Sequence, residues 1–173
     1  MALFVVTSSE EFLAKIDESD GSVLDYIALS GYARPLAVDG SGNVFLLDGD
    51  SLTKLDSNLG TVWTKSAIFG DGWIRRARVD SSGNIFLLST NQFIKKLNSS
   101  GNLVWTCDLS AKSSVHNMEL APSGFLYAIR YSSTEEVYKI DSSGTEITTG
   151  NWPLTLESGE SIENHAVDDS DNL

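Results

Sequence analysis

The chain alternates between short apolar runs and polar turn clusters, with no sustained helical period. Val44-Phe45-Leu46-Leu47 is apolar at every position, as is Ile85-Phe86-Leu87-Leu88. A continuous apolar run of that length, bounded by Gly, Asn, Asp and Ser, predicts a strand covered on both faces. Thr61-Val62-Trp63-Thr64 alternates instead, which predicts a strand with one face in water. Leu36 to Asp39 and Leu52 to Leu55 read as two further strands. The segments Gly40 to Asn43 and Asp56 to Gly60 read as tight turns, because Gly and Asn tolerate positive φ and Asp and Ser bond the turn backbone. One segment carries a helix-start signal, Ser8-Ser9-Glu10-Glu11-Phe12-Leu13-Ala14-Lys15. It aligns with Ser51 to Lys54 and with Glu135 to Lys139, so the repeat register predicts a strand there too.

That register comes from two independent series. Lys15-Ile16-Asp17, Lys54-Leu55-Asp56, Lys96-Leu97-Asn98 and Lys139-Ile140-Asp141 each run into a glycine turn, at Gly21, Gly60, Gly101 and Gly144. A second series precedes each turn: Val38-Asp39-Gly40-Ser41-Gly42-Asn43, Val79-Asp80-Ser81-Ser82-Gly83-Asn84 and Leu120-Ala121-Pro122-Ser123-Gly124. A further copy is Val167-Asp168-Asp169-Ser170-Asp171-Asn172. Four strands in a period of about 41 residues form the unit of a β-propeller blade. The expected fold is all-β: one domain over residues 1–173, four blades of four antiparallel strands. Units lie near 1–33, 34–74, 75–115 and 116–162. Residues 163–173 are expected as a closing strand that completes the N-terminal blade, because Leu3-Phe4-Val5-Val6 reads as the second strand of a unit and His165 to Leu173 as the first; the alternative is a piece of a longer propeller.

The unit Ala37-Val38-Asp39 … Gly42-Asn43-Val44-Phe45-Leu46-Leu47 … Lys54-Leu55-Asp56 … Gly60-Thr61-Val62-Trp63 resembles the pyrroloquinoline-quinone-like β-propeller repeat. Val79 to Asn84, Ile85 to Leu88 and Gly101 to Trp105 repeat it. The resemblance covers nearly the whole chain and implies a fold more than a chemistry, since the family includes quinoenzymes, envelope assembly scaffolds and interaction domains. The quinoenzymes are much longer, with a calcium site and usually a vicinal Cys pair. A chain with one Cys and four units does not match them. Tyr26 and Ile147 stand near the place of the outer-strand Trp in units one and four.

Composition narrows the function classes. The 173 residues carry 12 Lys plus Arg against 24 Asp plus Glu, a formal charge of −12. Nucleic acid and anionic membrane surfaces both require a basic face, so neither is expected as a partner. The longest apolar runs, such as Ala2 to Val6, fall far short of the ~20 residues that span a bilayer, and no basic residue precedes that stretch as in a signal peptide. One cysteine, Cys107, leaves no internal disulfide and no Cys-rich metal site, and it sits in an outer strand with no base nearby in sequence. No nucleophile elbow, phosphate loop or zinc-protease motif occurs, and no cofactor is expected.

The residues at which units enter their first strand are the candidates for chemistry. His116 aligns with Arg34, Arg75 and Glu163, and Arg76 comes one position later, beside Asn117 and Asn164. His165 follows. These predict a polar ring on one rim of the channel, suited to an anion or polar ligand. Tyr32 and Trp73 sit on glycine-flexed links beside arginines, as at protein or sugar contacts, and Trp152 lies in a similar setting. The Asp39-Ser41-Asn43, Asp80-Ser82-Asn84 and Asp168-Ser170-Asn172 spacings are those of half a calcium loop, but they lack its sixth-position glycine and read as capped hairpin turns. The expected function is a non-catalytic interaction or structural module with a protein partner or its own assembly, such as a phage or other viral particle. The alternatives are a glycan-binding, lectin-like propeller and a small hydrolase or lyase built on His116, Arg34 and Glu163.

Overall fold

The computed structural model describes residues 2–6, 12–29, 33–70, 72–156 and Asp168. The chain divides into two compact units, Met1–Asp71 and Gly72–Leu173. In the first, β1 (Ala2–Val6), β2 (Phe12–Asp17) and β3 (Val23–Ala28) form an antiparallel sheet. β4 (Arg34–Val38), β5 (Val44–Asp48), β6 (Ser51–Leu55) and β7 (Thr61–Lys65) form a second, in that order. In the other unit, β8 (Ile74–Val79), β9 (Ile85–Ser89), β10 (Phe93–Leu97) and β11 (Leu103–Asp108) form a third meander. The fourth sheet holds β12 (Val115–Leu120), β13 (Leu126–Arg130), β14 (Glu136–Ile140), β15 (Glu146–Ile147) and β16 (Leu154–Thr155). The helix-start signal near Ser8 gives way to strand β2 over its described part. The expected pairing of Val167 with the N-terminal sheet lies outside the described residues.

The registers repeat. Phe4 pairs with Lys15, Phe45 with Lys54, Phe86 with Lys96 and Tyr127 with Lys139. Lys54 and Lys96 in turn pair with Trp63 and Trp105. The second strands β5, β9 and β13 are buried over Val44 to Leu47, Ile85 to Ser89 and Leu126 to Ile129, as strands covered on both faces must be. The outer strands leave Val23, Leu24, Val62, Leu103 and Val104 exposed. Along these rows a lysine ammonium lies over its partner ring: Lys54 is 5.3 Å from the centroid of Phe45, Lys96 5.0 Å from that of Phe86 and Lys139 5.6 Å from that of Tyr127. A cation held against a ring face in partial burial contributes ~1 kcal/mol and fixes the row.

Trp152 joins that row from an unexpected place. The outer strand of the fourth sheet is split: β15 pairs with the Lys139 end of β14, β16 with the Glu136 end, and the residues between loop out. Trp152 returns from the loop and packs 5.5 Å from Tyr127 and 5.4 Å from the Lys139 ammonium. It fills the role that Trp63 and Trp105 fill from regular strands, at 6.2 Å from Phe45 and 5.9 Å from Phe86. It is therefore a packing residue within one sheet and not an exposed link aromatic.

The turns are closed by side chains. Asp39 Oδ1 accepts from the Ser41 and Asn43 amides at 2.9 Å each, and Oδ2 accepts from Asn43 Nδ2 at 2.7 Å. Asp80 repeats this with Ser82 and Asn84. Partial burial works against the Asp39 charge, but the Asn43 and Ser41 donors and Lys54 outweigh it and hold the carboxyl below its ordinary pKa. Carboxylate oxygens spent on turn amides make these Asx turns, with no calcium-loop geometry. Gly83 and Gly101 take φ of 77° and 76° at the third turn position. In the second sheet Gly42 takes it at φ 78°, but in the Asp56 turn it falls on Leu59, at φ 64° and 5% exposed, and Gly60 follows it. Burying the leucine against Leu13, Leu29 and Val44 offsets a backbone strain of roughly 1 kcal/mol.

Candidate functional site

β8 and β12 run side by side in the second unit, and the turn and bulge geometry sets what their N-terminal ends display. The β8 ladder shifts between Ile74 and Arg76, so Arg75 is the bulged residue. The β12 ladder shifts between Val115 and Asn117, which makes His116 its counterpart. Bulges re-aim a side chain away from the pleat. In β4 the shift comes later, between Pro35 and Ala37, and Arg34 pairs with Leu47. Arg34 is thus equivalent in register to Arg76 and Asn117, not to Arg75 and His116 as simple alignment suggests. Tyr32, Glu163 and His165 lie outside the described residues.

Trp73 precedes β8 and is 65% exposed. Its backbone is fixed to Thr90, whose N–H donates to the Trp73 carbonyl at 2.8 Å while Oγ1 accepts the Trp73 N–H at 3.1 Å. The equivalent bond across the fourth sheet runs from Tyr131 N–H to Ser114 carbonyl at 3.1 Å. Ser113 and Ser114 carry φ of 41° and 60°, a sharp lead-in that places His116 with its ring 6.2 Å from that of Tyr131. Partial burial, then the charges of Arg75 and Arg76, hold the His116 pKa below its ordinary value, so the imidazole is neutral near pH 7. Arg76 is exposed, with Nη1 donating to the Arg75 carbonyl at 3.0 Å. Further along the same strands Arg78 holds Glu119, Nε to Oε2 at 3.0 Å and Nη2 to Oε1 at 2.5 Å. The structure therefore brings Arg75, Arg76 and His116 together at one end of the β8–β12 pair, with Trp73 leading into the same strand end.

Sequence reasoning missed the Arg78–Glu119 pair, although its signal was present. The two residues are 41 positions apart, one repeat period, so equivalent sites in successive units carry opposite charges. It also missed a polar network on the fourth sheet, joined by Lys112 from the link that follows β11. Arg130 and Glu136, cross-strand partners, form an ion pair at 2.6 Å, and the Tyr138 hydroxyl donates to the same Glu136 carboxylate. That hydroxyl and Arg130 hold Glu136 below its ordinary pKa against partial burial, while burial and then Glu136 push Tyr138 up. Lys112 lies 4.9 Å above the Tyr138 ring and 3.2 Å from Glu146. These charges compensate one another in pairs, which suits a joint between sheets more than a ligand site.

Two cavities stand apart from that strand end. A groove of about 490 Å³ lies between the β8–β9 and β12–β13 turns, lined by Asp80, Ser82, Pro122 and Ser123 among others. Another of about 280 Å³ in the first unit is lined by Ile27, Leu29, Leu46, Thr53 and Thr64. Neither is lined by a histidine or an arginine. Among the described residues no group of three or more His, Cys, Asp or Glu side chains is placed to hold a metal ion, and no helix is long and apolar enough to cross a membrane. Cys107 is buried in β11, and burial with the Glu146, Asp108 and Asp141 charges pushes its thiol up to about 11. Iodoacetamide at pH 7.5 is expected to leave native Cys107 unmodified and to label it stoichiometrically once urea unfolds the chain, as read by intact mass. Labelling of the native protein at the unfolded rate would contradict that burial.

No protein-family model and no curated protein matches the sequence. Solved structures do resemble it. A protein of unknown function from Bacteroides caccae superposes with a TM-score of 0.62 at 14% identity, over 91% of this chain and 58% of that one. BamB from Moraxella catarrhalis superposes with a TM-score of 0.58 at 18% identity, over 91% of this chain and 45% of that one. This chain thus spans about half the length of the structures it resembles. At such identities the likeness is one of fold: an all-β architecture of repeated antiparallel sheets, with a β-propeller among its neighbours.

Proposed function

We propose that the protein is a non-catalytic β-propeller module that binds a protein partner through the end of the β8–β12 pair. The observation that carries this reading is the cluster of Arg75, Arg76 and His116 on an otherwise acidic chain, with the 65% exposed Trp73 leading into β8. Trp and Arg are the side chains that most often anchor protein interfaces, because each combines broad contact area with directional polar groups. The two guanidiniums beside His116 disfavour the imidazolium that a general base becomes on taking a proton, which weighs against the hydrolase alternative. BamB, a structural neighbour, lends the interaction reading support by analogy of fold. Membership of a larger assembly belongs to the same proposal.

The reading includes a single four-bladed ring. The N-terminal sheet has three described strands, and β1 occupies the register of second strands β5, β9 and β13. An innermost strand from residues 163–173 would complete it by pairing with the outer edge of β1.

Trp73→Ala is expected to leave the thermal midpoint within a degree or two, since the indole is mostly in water, and to abolish retention of the partner in affinity capture from source extract. Partner retention unchanged in Trp73→Ala would remove this end from the interface. Glycan-array binding that disappears in the same variant would favour the lectin-like alternative.

A further inference from the structure

β8 carries two guanidiniums in the same posture, and one of them has a carboxylate in its grasp. Arg78 turns Nη1 back onto the Ala77 carbonyl at 2.8 Å and presents Nε and Nη2 to the two oxygens of Glu119. Arg76 stands two residues earlier, on the same face of the strand. Its Nη1 turns back in the same way onto the Arg75 carbonyl at 3.0 Å. Among the described residues no carboxylate meets its Nε or Nη2. The β12 residue two before Glu119 is Asn117, a neutral amide whose oxygen accepts the Met118 N–H at 3.0 Å. Arg75 and His116, on the two bulges, bring a second cation and a neutral imidazole to the same end.

We infer that the Arg76 fork seats a side-chain carboxylate from an acidic stretch of the protein partner. This rests on the reading of the β8–β12 end as the contact surface. A planar guanidinium with two parallel N–H bonds free matches a carboxylate in geometry as well as charge. The chain as a whole, at −12, repels an acidic segment, so a local cationic cluster decides where such a segment can dock. Trp73 adds an apolar surface for the methylenes that carry the acid. The Arg78–Glu119 pair sits behind the fork and holds β8 and β12 in register, so the site forms before the partner arrives.

The test uses the whole chain and a fluorescein-labelled oligoglutamate peptide, followed by anisotropy. Saturable binding is expected, weakened by salt because the site is open to solvent. Arg76→Gln is expected to weaken it roughly tenfold with an unchanged melting curve, whereas Lys65→Gln, which removes a charge from β7, leaves it unchanged. An oligoglutamine peptide is expected not to bind. The inference is overturned if Arg76→Gln binds as tightly as Lys65→Gln, if wild type shows no saturable binding, or if inorganic phosphate displaces the peptide at equal concentration of charge. Capture of the partner that is lost in Trp73→Ala but intact in Arg76→Gln would keep the contact surface and overturn the fork as its anchor. Capture unaffected by either variant would overturn both.

Discussion

Replacing Gly144 with alanine is expected to destabilise the protein by roughly 3 kcal/mol, seen as a lower urea midpoint with an unchanged slope. Gly144 has φ 86°, where an L side chain costs about 1 kcal/mol. A Cβ there would meet Trp105 at 2.6 Å from Cδ2, 2.7 Å from Cε3 and 3.0 Å from Cγ. The indole cannot slide away freely, because its Nε1–H donates to the Ser142 carbonyl at 3.0 Å in the same turn, and Phe86 lies against it at 5.9 Å. Displacing it costs a packed aromatic contact and a hydrogen bond, together more than the backbone strain. Gly124→Ala separates the two effects. Its φ is 88° but nothing lies within 4 Å of an added Cβ, so about 1 kcal/mol is expected. Equal losses in the two variants would show that the indole contact contributes nothing. In a Trp105→Ala background the Gly144→Ala penalty should shrink toward that of Gly124→Ala.

The same turn recurs in the first unit, where the Lys15 ammonium donates to the Ser57 carbonyl at 2.7 Å. In both units a side chain of one sheet's central row grips the equivalent turn of the next sheet. The Lys-Ile/Leu-Asp series is thus a structural repeat in two senses. It sets the turn, through Asp56 Oδ1 accepting from Asn58 and Gly60 amides at 2.8 and 2.9 Å, and it offers a carbonyl to the neighbouring sheet.

Much of this was legible because it is local. The buried second strands and the Asp-capped turns follow from residues within a few positions of one another, and both appear where the pattern puts them. What escaped was set by long-range register. Leucine is a poor choice for positive φ, so nothing in Ser57-Asn58-Leu59-Gly60 announces that Leu59 and not Gly60 takes it. The Lys54–Trp63 row fixes that spacing. Trp152 reads as a surface aromatic beside Gly150, yet the split outer strand returns it to the row. The bulge in β4 follows Pro35, whereas those in β8 and β12 come earlier, at Arg75 and His116, and this moved the equivalence of Arg34 by one position. The candidate rim was found by repeat alignment. Its internal order, with Arg78 paired behind Arg76, depends on Glu119 four strands on and could only be read from the fold.

The Phe86→Ala variant should lose about 4 kcal/mol, the largest effect expected of a single truncation here. Phe86 is 2% exposed in the cluster with Leu88, Ile94, Val115, Met118 and Leu126. Both of its strand neighbours, β8 and β10, hold it in register, opposite Arg78 and Lys96. The truncation leaves a cavity under a row that cannot collapse, since Trp105 is anchored to the next turn and Lys96 stands 5.0 Å from the ring. Burial and ring electrostatics can be separated with Phe86→Leu. Leucine keeps most of the buried volume and removes the aromatic face, so that variant should lose no more than about 1.5 kcal/mol, the combined scale of the Lys96 and Trp105 ring contacts. If the leucine variant is as unstable as the alanine one, the lysine-over-ring row and not burial holds the third sheet. If both fall within a few tenths of wild type in urea, Phe86 does not stand in the core that the alternation of apolar and polar positions defines.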